Sequence, residues 1–227
     1  MDHLSETINR IRANFERNRA SQASTAPSLP NCAESSPPLA NIDPWLGLEL
    51  THPALMLAKR RVAEFANRQR LGLVLMGNYG CGKTHLGRVV FRHFFTQCLM
   101  IGEPMLLERL HAAYGGDGSE ALIVSELRLI PVLVLDDVGA GYVTPESKAW
   151  IEGLYWRVLD RRAEHQLPVM ITCNLHVEQL AERLGGRAMS RLVGLCGSDD
   201  SFVDLSDVPD YRCRNLSVCA QTSGSEP

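Results

Sequence analysis

Leu4, Ile8, Ile11 and Phe15 recur at spacings of four, three and four, with Arg10, Arg12, Arg17 and Arg19 at polar positions around them. This period gathers the apolar groups into one stripe of a short amphipathic helix over residues 1–19. The stretch that follows, ASQASTAPSLPNCAESSPPLAN, is made of Ser, Ala and Pro without an apolar period, so residues 20–48 are expected to be a flexible linker. A helix this short is marginal alone. Its tether leaves two destinations open: the stripe folds back on the main domain, or it docks on a partner.

From Thr51 onward the pattern is dense. Leu55, Ala58, Val62, Phe65 and Ala66 share one helical face, with Thr51 as the expected N-cap and Pro53 in the first turn, where a missing N–H costs little. Short apolar runs then alternate with helical periods. Strands are predicted over 71–76, 98–101, 132–136, 169–172 and, from a weaker pattern, 201–205; helices are predicted near 83–96, 103–114, 119–128, 146–164 and 176–184. Such alternation predicts an α/β domain over residues 49–215, a parallel sheet with helices on both faces. Residues 216–227 read as a disordered tail, and no internal repeat is present.

Candidate chemistry sits at the ends of these strands. GNYGCGKTH follows the first apolar run and meets the pattern G-x-x-x-x-G-K-[ST] with Gly77, Gly82, Lys83 and Thr84. A phosphate chain requires inward backbone N–H groups, glycine where a Cβ would intrude, a helix N-terminus and a cation. The stretch from Gly77 through Asn78, Tyr79, Gly80, Cys81 and Gly82 to Lys83, Thr84 and His85 is therefore the candidate nucleotide-binding loop. VLVLDDVG ends the third predicted strand in Asp136 and Asp137; the first acid is expected to hold Mg²⁺, and the second to orient or deprotonate water. LPVMITCN ends in Asn174, an amide that can position water or the γ-phosphate. Cys81, near a helix N-terminus and Lys83, is expected to be a reactive thiol that bound ATP protects.

GNYGCGKTHL, VLVLDDVG, ITCNL, RAMSRL and DYR, in this order, resemble the AAA+ ATPases of the DnaC-type helicase loaders and the IstB-type transposition helpers, over roughly residues 50–214. The resemblance implies a P-loop fold without a full C-terminal lid domain, in which Lys83 and Thr84 bind phosphates and Mg²⁺, Asp136 and Asp137 form the Walker B pair, and Asn174 is the sensor. It also implies that Arg191 is an arginine finger for a neighbouring subunit's ATP, with Arg187 as its companion, and that Arg212 is a second sensor. Aspartate at 137 departs from the glutamate of many AAA+ proteins; one methylene fewer sets the carboxylate about 1.5 Å farther from the water, and slow turnover is expected.

The implied function is an ATPase that assembles as a homo-oligomer on DNA, single-stranded in preference to duplex, and loads or recruits a replicative helicase. The alternative is a transposition helper with a transposase as partner. A P-loop small-molecule kinase fits less well, because some seventy residues precede the loop and no arginine-rich lid segment follows it. A DNA contact through Arg109, His111 and Tyr114, with the following GGDG loop, competes with a simpler reading of that segment as a core helix with Met105, Leu106 and Leu110 inward.

Composition narrows this little. Apolar residues make up 45% of the 227, charged residues 22%, and the net charge of −3 excludes a strongly basic coat without excluding a local basic patch. Seven cysteines without a C-x-x-C pair read as free thiols rather than a zinc site. No apolar run approaches the roughly 20 residues that span a bilayer, and the polar N-terminus carries no signal-peptide core. A cytoplasmic location is expected.

Overall fold

Val, Leu, Ile and Met fill the strands at nearly every position, which is the composition of strands covered on both faces. In the computed structural model, which describes residues 52–113 and 119–212, β1 (Gly72–Met76) and β4 (Val169–Cys173) are buried along their whole length. With β2 (Cys98–Gly102), β3 (Val132–Val138) and β5 (Phe202–Asp204) they form a parallel sheet in the order β2-β3-β4-β1-β5. The residue 1–19 helix, the linker, Tyr114 with the GGDG loop, and the tail all lie outside the described residues.

Alternate side chains of each strand point to opposite faces, and two cores result. Leu73, Leu75, Val132, Val134 and Met170 pack beneath α1 (Pro53–Ala66) and α2 (Lys83–Phe94). Val74, Leu133, Leu135, Val169 and Ile171 pack beneath α3 (Glu103–Ala113), α5 (Pro145–Glu164), α6 (Val177–Leu184) and α7 (Gly186–Cys196), with α4 (Ser119–Leu129) contributing Val124 and Leu127. Burial of this apolar surface, at about 25 cal/mol per Å², is the main stabilising term.

The cap of α1 corrects the expected Thr51 by one residue: it is His52, whose Nδ1 accepts from the Ala54 N–H at 3.3 Å. In α3 the inward residues are Leu106, Leu107 and Leu110, and Met105 faces out, 54% exposed. The expected inward set of Met105, Leu106 and Leu110 is thereby corrected: Leu107, one helical turn before Leu110, takes the inward place. The helix α7 is absent from the predicted elements. Its glycines mask a real period in which Ala188, Met189, Leu192, Val193, Leu195 and Cys196 are buried. Gly185, at φ +80°, is where α6 stops and α7 starts.

Between β3 and β4 the register slips once. Leu135 pairs with Ile171 and Val138 with Cys173, so Asp136 and Asp137 together face the single residue Thr172. One extra residue on one strand is a bulge, and a bulge re-aims side chains. It falls at the two acids.

Candidate functional site

The glycines of residues 77–85 take backbone angles that L-residues avoid: φ is +136° at Gly77, +74° at Gly80 and +99° at Gly82. Packing adds a second demand. A Cβ at Gly77 would lie 2.6 Å from the Leu205 carbonyl carbon, and one at Gly80 would collide with the Asp210 carboxylate. The segment after β5 thus lies along the loop, tied to it by Asn78 Nδ2 donating to Ser206 O at 3.0 Å and by the Tyr211 N–H donating to Gly80 O at 3.2 Å. Gly82 caps α2 without a side-chain hydrogen bond, and the N-terminus of that helix is the kind of position that favours an anion.

Lys83 is buried, and its ammonium donates to Gly77 O at 2.8 Å and Asn78 O at 2.6 Å. The loop holds its own cation in place. The expectation of a reactive Cys81 is corrected: the residue is 0% exposed, packs in the core beneath α1 and α2, and directs Sγ to the Asn78 carbonyl at 3.0 Å. Tyr79 is exposed, and His85 is half-buried in the first turn of α2.

The acids meet this loop from β3. Thr84 Oγ1 donates to Asp136 Oδ1 at 3.2 Å, and Thr172 Oγ1 donates to the same oxygen at 2.6 Å. Thr172 Oγ1 in turn accepts from the Asp137 N–H at 3.0 Å, so this fully buried hydroxyl stitches the bulge. Asp137 takes φ +58°, and its Oδ1 accepts from Asn174 Nδ2 at 3.0 Å. Asn174 Oδ1 is buried without a hydrogen-bond partner. Such an acceptor is costly to leave unpaired, and here it stands beside the acids. Lys83, Thr84, Asp136, Asp137 and Asn174, drawn from three separate stretches, therefore form one cluster at the C-terminal edge of the sheet, where open α/β folds place their ligands.

The arginines lie elsewhere. Arg191 Nε, on α7, pairs with Asp160 Oδ1 of α5 at 2.7 Å. The Arg187 guanidinium stands 6.0 Å from the centre of the Trp156 ring. Arg212 is exposed, and its N–H donates to Asp210 Oδ1 at 2.8 Å. Arg109 pairs with Glu126 at 3.4 Å, and the His111 ring lies 5.9 Å from that of Trp150, contacts that fit a solvated helix face.

Sequence reasoning passed over three residues: Thr172, Glu103 and Arg183. Thr172 looks like ordinary β-branched strand filling. Glu103 and Arg183 meet across 80 positions of sequence, at 2.7 Å, with Glu103 buried. The only signal was a pair of charges at ends of apolar elements. Among the described residues no group of His, Cys, Asp and Glu has the spacing of a closed metal cluster, and no helix is long and apolar enough to cross a membrane.

The chain resembles known proteins over this same region. It is 26% identical to the replicative helicase loader DnaC of Escherichia coli K12 over 143 residues, 61% of this chain and 56% of that protein. It is 38% identical to the putative ATP-binding protein of insertion sequence IS1162 of Pseudomonas fluorescens over 91 residues, 37% of this chain and 38% of that one. The chain thus spans about half the length, or less, of these curated relatives. Among solved structures, DnaI superposes with a TM-score of 0.56 at 22% identity, covering 77% of this chain and 89% of that one. The AMPPCP-bound DnaA of Aquifex aeolicus superposes with a TM-score of 0.52 at 15% identity, over 63% of this chain and 45% of that one. Both share the AAA+ fold. The family model described as IstB-like ATP binding protein matches residues 51–193, more than half of the chain, and the chain belongs to that family.

Proposed function

We propose that this protein is a Mg²⁺-dependent ATPase that assembles on DNA and loads or recruits a replicative helicase. The observation that carries the reading is the cluster in which Thr84 and Asp136 share a hydrogen bond while Asn174 holds Asp137. In this reading ATP draws the Lys83 ammonium from the carbonyls of Gly77 and Asn78, and the N–H groups at the start of α2 take the phosphates. Thr84 and Asp136 are the residues that would hold Mg²⁺, which neutralises phosphate charge when bound. Asp137 accepts a proton from, or orients, the attacking water, and Asn174 keeps that carboxylate in place with its free carbonyl oxygen as a second acceptor for the water. Arg191 serves the ATP of a neighbouring copy.

The family membership supports a second reading. A transposition helper would use the same chemistry with a transposase as its partner, and the similarity to the insertion-sequence ATP-binding protein favours keeping it. Immobilised full chain, exposed to extract of its native host with and without Mg-ATP, separates the two. ATP-dependent capture of the replicative helicase supports the first, and capture of a transposase the second. If neither is retained and the chain binds no ATP, both readings fail.

A further inference from the structure

Glu103 follows β2 directly and begins α3, yet it is only 1% exposed. A carboxylate so buried must have its charge met, and five donors converge on it. Tyr155 OH and Arg183 Nε, the latter at 3.0 Å, donate to Oε1; Arg183 Nη2 at 2.7 Å, Gly139 N–H at 2.8 Å and Gly141 N–H at 2.9 Å donate to Oε2. Arg183 Nη2 also donates to Gly141 O at 2.8 Å. Two of these donors are backbone groups of the turn that leaves β3 immediately after the acids.

That turn is tightly built. Ala140 N–H donates to Asp137 O at 3.0 Å, with Asp137 at φ +58° and Gly139 at φ +98°. A Cβ on Gly139 would come within 2.6 Å of Leu175, the neighbour of Asn174, and one on Gly141 would come within 2.6 Å of Leu107 and 3.0 Å of Glu103 Oε2. Left-handed angles at a residue with a Cβ persist only where the surroundings enforce them. A buried ion pair is a poor source of stability but a good source of fixed geometry.

We propose that Glu103, clamped by Arg183 and Tyr155, is a positioning residue: it anchors the turn at Gly139 and Gly141 so that the Asp137 carboxylate stays on the Asn174 amide. This role rests on the ATPase reading above. Through Arg183, on α6, the same anchor couples the turn to the element that follows Asn174. The device therefore sets the spacing of the two groups that face the water, and it touches none of the residues of the phosphate loop.

Glu103→Gln in the full chain keeps the shape and replaces one acceptor oxygen by a donor. ATP affinity is expected to stay within about twofold of wild type, while turnover falls roughly tenfold or more, the loss typical of misplaced catalytic groups. In the Asp137→Asn background the same substitution is expected to have no further effect on turnover, since Glu103 acts through Asp137. A readout independent of hydrolysis is the NMR signal of the Asn174 side-chain amide, which should shift in Glu103→Gln as it does in Asp137→Asn. Arg183→Lys, which keeps the charge and loses the fork, should give the same pattern if Glu103→Gln folds poorly. Equal losses of affinity and turnover, a further drop in the Asp137→Asn background, or an unmoved Asn174 signal would each overturn the proposal. A shifted Asn174 signal in a chain that never hydrolyses ATP would sink the ATPase reading and leave the positioning role standing.

Discussion

At the scale of the residue, the bulge gives a physical reason for aspartate at 137. The second acid sits at φ +58°, a left-handed region in which Asp and Asn are enriched over other residues that carry a Cβ. The shorter carboxylate loses reach toward the water and gains a backbone angle that the turn requires. Asp137→Asn should therefore fold with wild-type stability and bind ATP, while turnover falls by about 10² to 10⁴, the range for losing a general base. Asp137→Glu is expected to gain no activity and to lower the unfolding midpoint in urea, because it forces a less tolerant residue into the same angle. A faster and equally stable Asp137→Glu would show that the turn does not dictate the residue. The pattern G-x-x-x-x-G-K-[ST], the acids and Asn174 were all legible, since strand-end chemistry follows directly from local pattern. Glu103 was not: its partners Tyr155 and Arg183 lie 52 and 80 positions away, and only the folded chain brings them together.

At the scale of the element, most helices are legible from a long period with burial on one side, and most strands from short, almost wholly apolar runs that are covered on both faces. The exceptions have specific causes. The period of α7 is hidden by its glycines, and the inward face of α3 is ambiguous by one residue because Met105, Leu106 and Leu107 are all apolar. What fixes the ends of elements was illegible. Arg162, fully buried on α5, donates to Leu127 O, Ile130 O, Pro131 O and Pro168 O, and so closes the end of α4 and the entry to β4. A second staple joins the end of α1 to the turn before β5. Arg70 donates to Glu64 at 2.5 Å and to Asp200 at 2.7 Å, and Arg61 pairs with both acids. The hydrogen bond from Arg70 is the main cause that holds Asp200 down at about 2; burial of Glu64 works the other way, but its bonds to Arg70 and Arg61 prevail and lower it. Because these pKa values are depressed relative to about 3.9 and 4.3 in an unfolded chain, the stabilisation is complete above those values and is lost as pH falls toward 2. Asp200 is 44% exposed, so solvent screens much of the effect. The gap in urea midpoint between wild type and Asp200→Asn should be greatest near pH 6 and shrink by roughly half at pH 3. A gap that stays constant across that interval would remove the staple from the account of stability.

At the scale of the whole molecule, the question is where the cation that completes the site comes from. Lys83 and the acids occupy one edge of the sheet, with α2 on one face, whereas Arg191 rides on α7 on the other face and is tied to Asp160 of α5. In the reading proposed above Arg191 serves a neighbouring copy's ATP, and the ion pair that holds it to Asp160 is of the partly exposed kind that costs little to break. An arginine finger is worth about 10³ to 10⁵ in rate. Arg191→Ala and Asp137→Asn should thus each bind ATP and hydrolyse it poorly, the first for want of a cation in trans and the second for want of a carboxylate in cis. In a mixture of the two, an interface that joins intact Asp137 from the first variant to intact Arg191 from the second contains every group the reaction uses. Such mixtures should recover ATPase activity above the sum of their parts, most strongly near equal ratios and with DNA present to promote assembly. If no ratio exceeds that sum while wild type is active under the same conditions, Arg191 does not act between copies, and ATP is used within one subunit as a switch would use it.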